Sequence, residues 1–306
     1  IFLPKLGWLR YRNSREVLGA VKNVTVSQSC GKWFVSIQTE REVEQPLPNG
    51  GAVGIDMGIA RFATLSDGAF YAPLNSFKRH ETALRKAQQT MSRKVKFSSN
   101  WKKAKARVQK IYCRIGNARR DFLHKATTTI SQNHAMVCLE DLQVRNMSRS
   151  AAGTTGQPGR NVRAKSGLNK AILDQGWAEF RRQLDYKLAW NGGHLIAVPA
   201  QNTSRTCPCC GHVSADNRQT QARFQCVECG FKENADVVGA INILSRGMQR
   251  LRDEGQDTAD ASAGRETVAR IACEVSGAVM PPAAGTRRSD LCRLDAGMSA
   301  VGIPRL

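Results

Sequence analysis

Two sets of side chains in this 306-residue sequence have the types and spacing for metal chemistry. The first is Cys207-Pro-Cys-Cys210 and Cys226-Val-Glu-Cys229, two CxxC knuckles 15 residues apart, each followed by a glycine. Each knuckle offers two thiolates, and four thiolates at ribbon spacing close a tetrahedral structural site whose default ion is Zn2+. Iron of the rubredoxin type uses the same donors. Cys209 stands between two of the ligands and is an alternative to either, although Cys207 and Cys210 keep the better spacing. Five of the ten cysteines fall between Cys207 and Cys229, which reads as metal binding and not as a disulfide framework.

The second set is acidic. Asp56 sits inside the apolar run Val53-Gly-Ile-Asp-Met-Gly58, Glu140 and Asp141 close the run Ala135-Met-Val-Cys-Leu139, and Asp236 stands near the start of an apolar helical stretch. A carboxylate on a buried strand is costly unless something positive pairs with it. Asp56, Glu140 and Asp236 brought together would offer hard oxygen ligands suited to Mg2+ or Mn2+. Two such ions can serve phosphodiester hydrolysis with no protein nucleophile. Taken singly, each acid also fits a plainer role: a turn residue, a surface acid, or a helix-start residue favoured by the dipole. The ordered trio in a basic chain favours the metal reading.

The elements that would position these groups follow from pattern. Residues 21–26 and 32–38 have strand composition around a turn at Ser29-Cys30-Gly31, and Gln45-Pro-Leu-Pro-Asn-Gly-Gly51 reads as a boundary. Residues 52–58, 60–65 and 69–72 suggest a three-stranded antiparallel meander with a turn at Ser66-Asp67-Gly68. Residues 135–142 and 194–198 read as further strands. Residues 148–169 suggest a mobile loop, and 170–190 one amphipathic helix with Trp177 and Trp190 in the core. A short helix covers 234–246, and the neutral tail from 249 is expected to be disordered or loosely attached.

Charge narrows the partner. Lys+Arg number 46 against 25 Asp+Glu, a formal net charge of +21, which disfavours an ordinary neutral metabolic enzyme and favours a polyanion. Residues 78–125 hold 16 basic side chains and two acids, Glu81 and Asp121, and read as two long basic helices broken near Phe97-Ser-Ser-Asn100. Lys94, Lys96, Lys102, Lys103, Lys105, Arg107, Arg119 and Arg120 are the candidate phosphate-binding residues. Trp101 is placed either to stack on a base or to pack between helices. The histidines His80, His124, His134 and His194 show no ligand spacing. No apolar run reaches the roughly 18 residues of a membrane span, so no membrane role is expected. The first residue is not Met, from which we expect a processed chain or a piece of a longer reading frame.

Together, Gly54-Ile-Asp-Met-Gly58, Leu139-Glu-Asp-Leu142 and Asn234-Ala-Asp236 resemble the three motifs of a RuvC-like nuclease of the ribonuclease H fold. The cysteine knuckles just before the third acid, with Thr203-Ser-Arg-Thr206 leading into them, resemble the transposon-encoded TnpB (OrfB) family. Leu3-Pro-Lys-Leu-Gly-Trp8 and Gly31-Lys-Trp-Phe-Val35 look like that family's preceding β-domain. The resemblance runs from Ile1 to about Arg246. It implies an α/β, ribonuclease H-like (RuvC) domain with an inserted zinc ribbon, preceded by a partial β-barrel. The implied divisions are 1–48 β-rich, 49–202 nuclease core with a basic helical insert at 78–130, 203–233 ribbon, 234–248 final helix and 249–306 tail. It further implies an RNA-guided DNA endonuclease with Asp56, Glu140 and Asp236 as catalytic Mg2+ ligands and a structural Zn2+ on Cys207, Cys210, Cys226 and Cys229. Its partners would be a guide RNA from the transposon end and a double-stranded DNA target, in a prokaryotic cytoplasm beside the nucleoid. The family normally carries more chain ahead of Leu3, so a shortened N-terminus is expected. Two other functions remain open on sequence: a nuclease-inactive RNA- or DNA-binding protein, and a strand-transfer transposase.

Overall fold

The computed structural model describes residues 1–13, 16–44 and 46–257, which divide between two compact units. The first comprises Ile1–Gln45 and Arg79–Ala118. The second comprises Pro46–Lys78 and the described chain from Arg119 onward. The basic stretch therefore groups with the N-terminal strands, where sequence reading expected it as an insert of the nuclease core.

In the first unit, short strands β1 (Phe2–Leu3) and β2 (Gly7–Trp8) pair antiparallel, as do β3 (Ala20–Ser29) and β4 (Lys32–Glu40). The β3–β4 turn puts Cys30 and Gly31 at φ 52° and 77°, the left-handed pair that a two-residue hairpin turn needs. The Cys30 thiol donates to the Gln109 carbonyl at 3.4 Å and ties this turn to a helix. The two expected basic helices are α1 (Ser76–Ser92) and α2 (Ser99–Asn133). They bury Leu84, Val108 and Ile115, the apolar positions at helical spacing. Ser98 caps α2, its hydroxyl accepting the Trp101 N–H at 3.2 Å, which sets the break at residues 93–98.

The second unit is a five-stranded mixed sheet between helices. Strands β5 (Ala52–Asp56), β6 (Ala63–Leu65), β7 (Phe70–Tyr71), β8 (Met136–Glu140) and β9 (His194–Val198) lie in the order β7-β6-β5-β8-β9. The expected meander β5-β6-β7 is antiparallel, and β8 and β9 are parallel to β5. Parallel neighbours need crossovers, which here run through helices and cover a face of the sheet. On one face Val53, Ile55, Val137 and Leu139 meet Leu123, Ile130, Trp177, Phe180 and Leu184. Phe62 anchors this core edge-on against Phe122 and Phe180, with centroids 5.1 and 5.0 Å away. On the other face Met136, Cys138 and Ile196 meet Ile243 and Leu244 of α6 (Ala235–Asp257).

Four expectations change. Residues 148–161 are irregular, but 162–169 belong to α4 (Val162–Gln175), which follows the short α3 (Val144–Met147). The single helix expected over 170–190 is two, because Gly176 at φ 76° ends α4 and begins α5 (Trp177–Trp190). Trp190 is 71% exposed, outside the core, its ring edge-on to Tyr186. The last helix extends to Asp257 instead of stopping near 246, so residues 249–257 are not loose tail; the rest of the expected tail lies outside the described residues.

Candidate active site and metal centre

Strand alternation decides where the acids point. Along β5, Val53 and Ile55 enter the helical core, so Gly54 and Asp56 face the opposite side. Along β8, Val137 and Leu139 do the same, which turns Cys138 and Glu140 to that side as well. Gly54 is register partner to Cys138, so Asp56 and Glu140 come level on neighbouring strands. Asp141 takes the other direction and pairs with Arg181 at 2.5 Å.

Helix α6 covers that face and carries the third acid. Its approach to β5 is close: a Cβ on Gly54 would stand 2.0 Å from the Ala240 carbonyl oxygen. Asn234 caps the helix, its side-chain oxygen accepting the Asp236 N–H at 3.0 Å, and so holds Asp236 in the first turn. The structure thus brings Asp56, Glu140 and Asp236 to one end of the sheet. Their mutual influence is electrostatic. Burial, then the negative charges of Glu140 and Asp236, push the Asp56 carboxyl up from 3.8 to about 7. Burial also raises Glu140, opposed by the Thr203 hydroxyl bonded to it and by Arg246 and Arg218. Such a surplus of crowded carboxylate is the donor chemistry of a hard divalent cation.

Several partners escaped the sequence reading. Thr203, buried, donates its hydroxyl to Glu140. Asn242 on α6 donates to the carbonyls of Thr203 and Thr206, both at 2.7 Å, and pins the segment leading into the cysteine knuckles. Arg218, beyond a 3-10 turn at Ala215–Asn217, reaches Asp236 at 3.5 Å. It is the cation that partly offsets the charge at Asp56. Nothing local in the sequence links a ribbon arginine to these acids.

The cysteine knuckles converge as expected. Ligating atoms of Cys207, Cys210, Cys226 and Cys229 all lie within 4.8 Å of one another. The Cys207–Cys229 and Cys210–Cys226 sulfur pairs are each 3.6 Å apart. A tetrahedral ion with metal–sulfur bonds of about 2.3 Å needs sulfur–sulfur edges of about 3.8 Å, so the cradle fits one. Cys209 lies outside this set. Among the described residues, the three carboxylates do not close to that mutual distance. Burial raises Cys207, while Cys226 is drawn down to about 7, burial there being outweighed by the Cys229 and Glu228 N–H groups aimed at its sulfur. Buried Asn217 joins the knuckles: it donates to the Arg205 and His212 carbonyls and accepts the Val227 N–H. Strands β10 (Arg223–Gln225) and β11 (Lys232–Asn234) complete the ribbon and run into α6.

Of the eight candidate phosphate-binding residues, Lys94, Lys96, Lys102, Lys103, Lys105, Arg107 and Arg120 are exposed. Arg119 is not free for that role. It turns inward to buried Asp174 at 2.7 Å, and the same carboxylate accepts the Ser76 hydroxyl and the Phe77 N–H.

Comparison with known proteins matches this layout in two stretches. Residues 34–151, holding the first two acids, match the family described as a probable transposase, OrfB of the IS605 type. Residues 177–243, holding the ribbon and the third acid, match the Cas12f1-like TNB domain. The chain belongs to the TnpB (OrfB) family. It is 60% identical over 248 residues to InsQ of Escherichia coli K12, provisionally named an RNA-guided DNA endonuclease, covering 81% of this chain and 62% of InsQ. A relative from Streptomyces pristinaespiralis with the same provisional name is 36% identical, covering 74% of this chain and 52% of that protein. The chain therefore spans little more than half to three-fifths of these relatives. The solved Cas12f1–guide RNA–target DNA complex aligns over 72% of this chain and 55% of its own, at 19% identity and a TM-score of 0.41. Among the described residues no helix is long and apolar enough to cross a membrane.

Proposed function

We propose that the chain is the catalytic portion of a transposon-associated, RNA-guided DNA endonuclease with a RuvC-like site. The observation that carries this reading is the convergence of Asp56, Glu140 and Asp236, with the Asp56 carboxyl raised to about 7 largely by burial and its two acidic neighbours. A sheet of three antiparallel strands continued by two parallel ones supports the ribonuclease H-like assignment for residues 49–78, 119–202 and 234–248. The thiolate cradle supports a zinc ribbon at 203–233, and the strands of 1–48 a nucleic-acid-binding β unit.

In this mechanism Asp56, Glu140 and Asp236 hold Mg2+ or Mn2+. Bound there, the ions supply water activation and stabilisation of charge on the leaving oxygen. The protein's own groups do the rest. Thr203 fixes one Glu140 oxygen and leaves the other for a ligand. Arg218 neutralises Asp236 in the free protein and is placed to turn to the scissile phosphate when cations take over the carboxylates. The exposed cations of α1 and α2 hold phosphates of the guide RNA or the DNA target. The names of the relatives agree with these partners.

The test is cleavage of a matched double-stranded target by the RNA-loaded protein. Cutting should require Mg2+ or Mn2+ and disappear in Asp56→Ala while target binding persists. Undiminished cutting by Asp56→Ala, or none by the parent protein with both guide and ion, would overturn the reading.

A further inference from the structure

The turn between α1 and α2 is closed by the Ser98 N–H donating to the Val95 carbonyl at 3.1 Å, and it places a bulky aromatic at the third position, where glycine or asparagine is usual. Phe97 lies there with 66% of its surface exposed and with φ at 68°. A bulky side chain in the left-handed region is uncommon and costs free energy that glycine would avoid. Phe97 precedes the Ser98 cap, where an apolar residue ordinarily staples the helix start by burying itself. Here the ring meets Trp101 edge-on, centroids 5.4 Å apart and planes at 60°, and most of it remains in solvent. Trp101 is half-buried beneath Lys105, whose ammonium sits 5.2 Å from the indole. It therefore supports Phe97 and is itself poorly placed to receive a base. Val95, two residues before, is 80% exposed.

The surroundings say what the ring would meet. Arg93, Lys94 and Lys96 precede it, Lys102, Lys103 and Lys105 follow, and no acid occurs between Glu81 and Asp121. The Lys96 ammonium rests 5.2 Å from the Phe97 centroid, covering an aromatic face with a cation that a phosphate could draw away. An apolar ring inside a field of one sign fits a polyanion that also offers flat apolar faces, which is a nucleic acid with an unpaired or terminal base.

We propose that Phe97 is a base-stacking wedge: it stacks on an unpaired nucleobase of bound nucleic acid, braced by Trp101, while Lys96 moves to the neighbouring phosphate. This rests on the nucleic-acid reading above and adds a specific contact to it. The ring, and not Trp101, is the stacking group.

The test measures binding by fluorescence anisotropy for the wild type, Phe97→Ala and Phe97→Tyr. Probes are a blunt duplex, the same duplex with an RNA or a DNA overhang, and the overhang with abasic sites. Phe97→Ala should weaken binding of one overhang by about tenfold and leave the blunt duplex unchanged within about twofold. Phe97→Tyr should keep wild-type affinity, and abasic sites should abolish the difference between wild type and Phe97→Ala. The overhang chemistry that responds identifies the strand. Equal affinity of wild type and Phe97→Ala for every probe, or equal losses on all, would sink the wedge and leave the nucleic-acid reading standing. Failure of the wild type to bind any probe would remove both.

Discussion

Gly239 lies directly against Asp56. A methyl group at position 239 would stand 3.1 Å from Asp56 Oδ2 and 3.3 Å from its carboxyl carbon. Gly239 follows Asp236 by three residues on α6, so the turn that carries one acid presses on another. The absence of a side chain there lets the helix come close to the Asp56 carboxylate. Gly239→Ala should push the Asp56 carboxylate aside by a few tenths of an ångström. Cleavage should fall about 10- to 100-fold, the scale expected of a misplaced reacting group, with little change in target binding. Single-turnover cleavage beside a filter-binding measurement separates the two.

Asp56 also couples stability to pH. Its carboxyl titrates at about 7 in the fold, against an ordinary value of 3.8. The folded chain then binds more protons than the unfolded chain across that window, so the metal-free protein loses stability as pH rises from 3.8 to about 7. Asp56→Asn should remove this cost. Melting in a chelator at about pH 8 should rise by roughly 3 °C or more, with a smaller gain at about pH 5.5. Added Mn2+ should raise the wild-type melting temperature and leave the variant unmoved. A variant that melts lower than wild type at both pH values would contradict the charge-crowding account.

The ribbon should hold one metal ion and deliver one guanidinium. Cys226→Ser should lose the bound ion, read by elemental analysis, and should reduce cleavage because Arg218 hangs from the same ribbon. Arg218→Ala should keep the thiolate-bound ion and target binding yet cut more slowly, by roughly 100-fold if the group meets developing charge. Arg218→Lys should recover only part of that, since a point charge cannot reproduce a bidentate grip.

Arg119 and Arg120 are neighbours with opposite assignments. Arg119→Ala strips the ion-pair partner from buried Asp174 and should cost about 3 kcal/mol of stability in urea unfolding. Arg120→Ala should leave stability within about 0.5 kcal/mol and instead weaken nucleic-acid binding with a shallower salt dependence. Reversal of the two phenotypes would place Arg119 at the surface after all.

Much of this was legible in the chain. The short apolar runs around Val53-Gly-Ile and Met136-Val-Cys-Leu mark strands buried on both faces. CxxC spacing announces the thiolate cluster because its ligands are local. The division at Gly176 was hidden, since 170–190 is amphipathic throughout and one left-handed residue interrupts it. Trp190 was misread because hydrophobicity does not report which helical face finds a partner.

The sequence by itself determined the donor types, the strands that carry them and the excess of positive charge, all set by local spacing and composition. Only the tertiary structure decided that Arg218 would stand beside Asp236, that Asp174 would take Arg119 out of the phosphate-binding set, and that Phe97 would be left exposed. The first two contacts join groups 18 and 55 residues apart, and the third depends on what fails to cover a ring. No local pattern encodes such relations, because they arise from the packing of whole elements against one another.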